Sequence, residues 1–527
     1  MTWPGFARSR TLTGVASSRQ KHLNQALMRI PRRAENTDRD SLAATYVSAG
    51  SFSAMLHSTD HQILYGRRGT GKTHALLHLT DLVRQTGDVA VYVDLRTIGS
   101  TGGVYGDPTV NLAQRGTHLL VDTLEALHDE LLSTAVEVDG REALLPALDA
   151  LAEAATSVQV VGQVEHETKV GDGFSQHQGV HLAMRGARIS TGRHDMANRE
   201  SRLRRSGIEQ HHVVFGPLNR ALRDIVRALG GARLWLLLDE WSSIPLDLQP
   251  LLADLVRRGI LPVTGATVKI AAIERRCQFR SGPSAGSDYL GIEVGADAAH
   301  AASLDDFLLF DHVRGRAQDF FQRLFHNHLS LRLSEMLGEP QSDVLDQIFK
   351  RGAFTELVRA SEGVPRDAIN IAALAAQNAR DEPIGVADIR RAARDWFLRD
   401  KQTAITSNEP TRQTLRLLVD EVVGRRGSRT FLISHLACPD AIDELYDARL
   451  LHVVRRGVAD RRHPGHLYDG FAVDFGCYVS LLLDGCVSGQ PTDKSGWLTS
   501  AKGIPPAGFN FAKEAIDLAR LGHPASD

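Results

Sequence analysis

Residues 66–73 read GRRGTGKT, and the meaning of those eight residues decides how the rest of the chain is read. They satisfy GxxxxGK[ST], the Walker A pattern. A loop with little side-chain bulk can turn its backbone N–H groups onto phosphate oxygens, a lysine can reach the outer phosphates, and a hydroxyl can bind magnesium. The residues assigned to that work are Gly66, Gly69, Thr70, Gly71, Lys72 and Thr73; the side chains of Arg67, Arg68 and Thr70 stand at free positions with no required role. The short apolar stretch Gln62 to Tyr65 comes before the loop, and helical spacing through Leu76, Leu77 and Leu79 follows it. The order strand, loop, helix makes this an α/β core, with the helix dipole adding positive potential at the loop.

Outward from the loop, VAVYV (89–93) reads as a second buried strand, and the leucines of 110–132 have helical spacing. RLWLLLDEWSS (233–243) is an apolar strand that delivers two acids at its C-terminal end, where ligands sit in open α/β sheets. Asp239 is placed to hold the magnesium ion bound to Thr73, usually through water. Glu240 is placed as the general base that polarises an attacking water. VKIAAI (268–273) is a further strand, followed by Glu274, Arg275 and Arg276.

The segment 157–214 departs from this pattern. Its VQVVGQVEHETKV suggests a β-hairpin, and the stretch after it is polar and rich in arginine, which marks an insertion. From 304 to 404 the signals are helical almost throughout. Residues 405–487 contain helical patterns and then two strand-like runs around the turn RRGVADRRHPG, the sequence form of a winged helix. The expected division is a flexible basic arm (1–40), an α/β core (41–303), a helical domain (304–404), a winged helix (405–487) and a tail (488–527). Length supports several domains, because 527 residues exceed what one hydrophobic core organises.

Strand, P-loop, helix, strand, helix, acidic strand, helix, strand and helical domain, in that order, resemble the AAA+ ATPases. SEGVPRDAIN (361–370) continues the likeness: Gly363, Pro365 and Arg366 match the GxPR that opens a lid helix in the branch containing origin-recognition and replication-initiator ATPases. The resemblance implies a P-loop core, a helical lid and a winged helix. It implies ATP and Mg²⁺ as cofactors, and ATP hydrolysis with Lys72, Glu240 and Arg366 as the catalytic set. Arg366 would reach the γ-phosphate. The sensor position after VKIAAI departs from the family's usual asparagine, serine or threonine: either Glu274 takes it or the register differs. Arg275, Arg276 and Arg280 stand where the family often places an arginine finger, which would require a homo- or hetero-oligomer, although a solvated basic loop reads equally well.

Composition limits the partners. A net charge of −2 offers no global basic field, so DNA contact would fall to the wing arginines (Arg455, Arg456, Arg461, Arg462) or to those of the insertion between Arg185 and Arg205. The helix in the recognition position, PDAIDELYDARL, carries Asp440, Asp443, Glu444 and Asp447, which a phosphate backbone would repel. That sign favours a protein partner, as in STAND-type or anti-phage signalling ATPases. No run is long enough to span a bilayer, and four scattered cysteines without a secretory signal indicate a cytoplasmic protein. The 22 histidines form no zinc signature, and GPSAG (282–286) lacks the strand and helix that a nucleophilic serine needs.

Overall fold

The computed structural model describes residues 19–48, 52–98, 107, 109–137, 142–155, 159–166, 203–210, 215–282, 289–300, 303–305, 314–337, 344–435, 440–486, 496–500 and 504–518. Its centre is a parallel sheet built from β1 (Gln62–Tyr65), β2 (Val89–Asp94), β5 (Leu234–Asp239), β6 (Ala266–Ala272) and the short β9 (Ala299–His300), in the order β2-β5-β6-β1-β9. Every residue of β1, β5 and β6 is buried, which is why these strands read as continuous apolar runs rather than as alternation. Leu234, Leu236 and Leu238 pack on one side with the helices Leu112–Glu137, Leu145–Ala155 and Phe215–Ala228. Trp235 and Leu237 face the other side, where the P-loop helix Lys72–Gln85 lies.

Between β2 and β5 the chain leaves the core. β3 (Gln159–His166) pairs antiparallel with β4 (Leu203–Gln210). The hairpin expected within VQVVGQVEHETKV is therefore formed with a strand far along the chain, inside the arginine-rich stretch. Arg185, Arg188, Arg193, Arg199 and Arg202, called as a DNA contact, lie outside the described residues, as do His177, His181 and most of GPSAG. A two-residue pair, β7 (Arg280–Ser281) with β8 (Leu290–Gly291), follows the core.

The helices Arg314–Leu337, Val344–Ile348, Ala353–Ala360, Pro365–Ala379 and Val386–Trp396 make the lid. The winged helix has three antiparallel strands, β10 (Thr430–Ser434), β11 (Leu451–Ala459) and β12 (Leu467–Val473), in the order β10-β12-β11, with helices Glu409–Leu418, Asp440–Asp447 and Phe475–Leu483. One continuous apolar cluster runs from Leu64 and Leu76 of the core through Phe321 and Ala372 of the lid to Tyr446, Phe471 and Phe475 of the winged helix. The three parts are thus packed together. Residues 496–500 and 504–518 lie on the outside of the winged helix: Trp497, Leu498 and Phe511 cluster with Leu432 and Tyr468, and the Ile516 N–H donates to the Leu432 carbonyl at 2.7 Å.

The basic arm needs a correction. Residues 19–28 are helical, and Leu23, Ala26, Leu27 and Ile30 are buried against the core. Asn24, fully buried, donates to the carbonyls of Arg380 and Glu382 at 2.6 and 3.0 Å. Among the arginines lies a short apolar face at i, i+3, i+4 and i+7 (Leu23, Ala26, Leu27, Ile30), the spacing of a docked helix.

Candidate functional site

The P-loop joins β1 to its helix through two left-handed glycines, Gly69 (φ +86°) and Gly71 (φ +98°). Any other residue would be strained there. Gly69 has a second reason to be glycine: a Cβ at that position would come within 2.8 Å of the Arg366 Cβ, so the bare backbone lets the lid approach. The Arg366 N–H donates to the Gly69 carbonyl at 3.2 Å, and Pro365 begins the lid helix, where its missing N–H is not needed.

Lys72 is buried at the floor of the loop. Its Nζ donates to the carbonyls of Gly66 (2.7 Å) and Arg67 (3.1 Å). Burial lowers its pKa, and the negative charges of Asp239 and Glu240 oppose that effect. Thr70 turns its hydroxyl back onto the Arg67 carbonyl at 2.9 Å, so only its backbone remains for an anion. Thr73 faces the cavity.

β6 lies between β1 and β5, which sets the acidic end of β5 one strand away from the loop. Asp239 is fully buried; its Oδ2 accepts from the Tyr92 hydroxyl at 2.9 Å and its Oδ1 from the Glu240 N–H at 2.8 Å. Glu240 occupies the left-handed region (φ 56°), a costly conformation for a non-glycine residue and one that accumulates at functional sites. Its carboxylate stands 3.9 Å from the Arg96 guanidinium, which is also held by Glu35 at 2.9 Å and Asp94 at 2.6 Å.

These groups share one cavity of ≈ 300 Å³ between core and lid, lined by Gly69, Gly71, Lys72, Thr73, Glu240 and Arg366. Asp239 sits behind Glu240 rather than on the wall. Sequence reasoning missed Pro31, Arg32, Arg33 and Glu35, which close the cavity from the N-terminal segment, and Arg96, which follows β2. The only signal was the arginine run, read as solvated. Leu42, Leu324 and Ile369 add apolar surface to a wall that also includes Arg68, His74, Ser243 and His328. A mixed polar and apolar lining of this kind accommodates a ligand with both charged and apolar parts.

Glu274, Arg275 and Arg276 are not on this wall. They form a turn against the winged helix: Glu274 pairs with Arg456 at 2.6 Å, Arg275 with Asp443, and Arg276 with Asp447. Glu444 accepts from Asn408 and Thr411, each at 2.6 Å. Two of the helix's four acids, Asp443 and Asp447, are thus met by arginines of the core, while Asp440 is exposed. Arg455 donates to the carbonyls of Leu498 (3.1 Å) and Ser500, while Arg461 and Arg462 are exposed at the wing tip. Among the described residues no helix is long and apolar enough to cross a membrane.

No family model and no curated protein matches this sequence. Solved structures do align along most of the chain. A Cdc6p from Pyrobaculum aerophilum is similar over 87% of this chain and 97% of its own, at 11% identity and a TM-score of 0.29. Drosophila ORC bound to DNA covers 86% and 93%, at 12% identity and 0.31. The Aeropyrum pernix ORC1 protein in complex with DNA covers 88% and 96%, at 12% identity and 0.28. The chain itself combines a parallel α/β core carrying a Walker-pattern loop, a helical part and a C-terminal winged helix.

Proposed function

We propose that this chain binds ATP with magnesium between core and lid, hydrolyses it, and uses the nucleotide state to switch its conformation or assembly. The observation that carries this reading is the convergence of Lys72, Thr73, Glu240 and Arg366, from three separate parts of the sequence, on one cavity. The loop fits a polyphosphate: its left-handed glycines expose backbone N–H groups, and a buried ammonium stands beneath them. Thr73 and, through water, Asp239 fit magnesium, which when bound would offset phosphate charge. Lys72 would hold the outer phosphates, Glu240 would take the proton of an attacking water, and Arg366 would bring the lid onto the γ-phosphate.

The test uses two variants. Lys72→Ala should abolish binding of a fluorescent ATP analogue. Glu240→Gln should keep binding and lose about 10²-fold or more in turnover, the usual scale for removing a general base. Full turnover by Glu240→Gln would remove Glu240 from that role.

The output on DNA or a nucleoprotein complex would run through the wing tip, where Arg461 and Arg462 are exposed. Duplex binding that weakens with salt and with Arg461→Ala and Arg462→Ala supports it, and no binding at low salt with ATP present ends it. A second reading, a STAND-like or defence-signalling switch whose winged helix senses a protein, is favoured by one observation. The helix that would enter a DNA groove is acidic and is already bonded to Arg275 and Arg276.

A further inference from the structure

We propose that Arg67, at a free position of the Walker pattern, is the positioning residue through which the winged helix reads the state of the phosphate loop, with His452 as its receiver. The proposal rests on the nucleotide reading above.

Arg67 is 2% exposed, among the largest side chains so deeply buried in the described chain. Its backbone N–H and Nε both donate to Asp305, at 2.9 and 2.8 Å. Its Nη1 reaches across to β11, to the Leu451 carbonyl (3.3 Å) and His452 Nδ1 (2.5 Å), and its guanidinium lies over the Tyr446 ring. Guanidinium groups only donate, so Nδ1 must accept and the imidazole proton sits on Nε2. That N–H donates to Asp474 at 2.9 Å.

The path does not end there. The same Asp474 oxygen accepts from Lys401 at 2.6 Å, and Lys401 pairs with Asp367 at 3.0 Å. Asp367 is the neighbour of Arg366, whose N–H is on the Gly69 carbonyl. Beginning at residue 67 and returning at residue 69, a closed circuit of buried polar contacts runs from the loop through β11, the Asp474 cap, the end of the lid and the lid helix. Lys401, Asp367, His452 and Asp474 are each at most 2% exposed, so water does not compete for these contacts.

The circuit is tied to the ligand position at one atom. The Arg67 carbonyl accepts from the Lys72 ammonium, the group a polyphosphate would engage. A phosphate that draws Lys72 away from the carbonyls of Gly66 and Arg67 changes the restraint on the backbone of 66–67. The Arg67 side chain, fixed at both ends, passes that change to Leu451 and His452. Reciprocity requires that β11 in turn bias nucleotide affinity.

The experiment uses the full chain and ATPγS with Mg²⁺, binding being read by displacement of a fluorescent ATP analogue and the response by hydrogen exchange of residues 451–459. The wild type should change exchange in β11 on binding. His452→Leu should bind within about fivefold of wild type and lose that change, because coupling energies are of that order. His452→Gln, whose amide can accept from Arg67 and donate to Asp474, should recover it. A response that survives in His452→Leu overturns the relay. Binding by the wild type with no change in β11 overturns it equally, whether or not the leucine variant folds. Absence of any binding by the wild type removes the nucleotide reading itself and the relay with it.

Discussion

His452 and His328 are histidines held away from water, and each has its pKa pushed down mainly by burial, to about 3 and about 4. The positive charge of Arg67 depresses His452 further, and its bond to Asp474 only partly offsets this. An unfolded histidine titrates near 6.5, so between that pH and the depressed values the unfolded chain binds protons that the folded chain refuses. Stability is therefore complete above about pH 6.5 and declines as the solution is acidified, by up to about 1.4 kcal/mol per pH unit for each histidine. Asp474, whose carboxyl is held below its usual value by Lys401 and His452 against the effect of burial, adds to the loss only at more acid pH. Urea unfolding at pH 7, 6 and 5 should show this decline. His452→Gln should make it shallower by the share of one histidine, with His328 keeping the rest; a slope unchanged in that variant would assign the effect elsewhere.

Spacing makes the candidate site residues legible. Gly66 to Thr73 is one contiguous pattern, Asp239 and Glu240 end an apolar strand, and Gly363, Pro365 and Arg366 open a helix, so each signal is complete within ten residues. Arg67 could not be read this way. Its partners, Asp305 and His452, are 238 and 385 positions distant, and nothing local distinguishes it from the exposed Arg68 beside it. The Pro31 to Glu35 wall was hidden for a related reason: a charged stretch looks solvated until the fold brings an apolar surface to its other face.

Among the elements, the acidic helix Asp440–Asp447 shows how a sign can be read without its target. Four acids exclude easy contact with phosphate, yet two of them, Asp443 and Asp447, are met by arginines of the turn after β6, far along the chain. Asp443 and Asp447 differ in setting: the Asp443 side chain is 45% exposed and that of Asp447 only 7%. Partly solvated ion pairs contribute about 1 kcal/mol or less. Neutralising both with Asp443→Asn and Asp447→Asn should thus leave global unfolding nearly unchanged while loosening this one contact. The expected result is faster hydrogen exchange in residues 440–450 and faster proteolysis after Arg275 or Arg276. Exchange equal to wild type would mean that the apolar contacts of Ile442, Leu445 and Tyr446 hold the helix alone.

At the scale of the whole molecule, core, lid and winged helix share one apolar cluster, so the winged helix is docked rather than tethered. The same arrangement explains why the sequence shows patterns but not neighbours: hydrophobic periodicity reports that a face is buried, not what buries it. The β3–β4 pairing illustrates the limit, since the alternation within VQVVGQVEHETKV suggested a local hairpin, whereas 159–166 pairs with 203–210.

The outer strand of the winged helix carries a further consequence. β10 is an edge, and residues 496–500 and 504–518 lie over it: the Ile516 N–H donates to the Leu432 carbonyl, Arg426 donates to that of Glu514, and Trp497, Leu498 and Phe511 cover the side chains beneath. An uncovered edge strand is a template for another chain, and polymerisation is its characteristic failure. A protein ended at residue 495 should fold its sheet and lid but grow into large particles with time and concentration, seen by light scattering, while the full chain stays at constant size. The closing segment would then act less as a stabiliser than as a stopper, keeping each molecule from adding to the next.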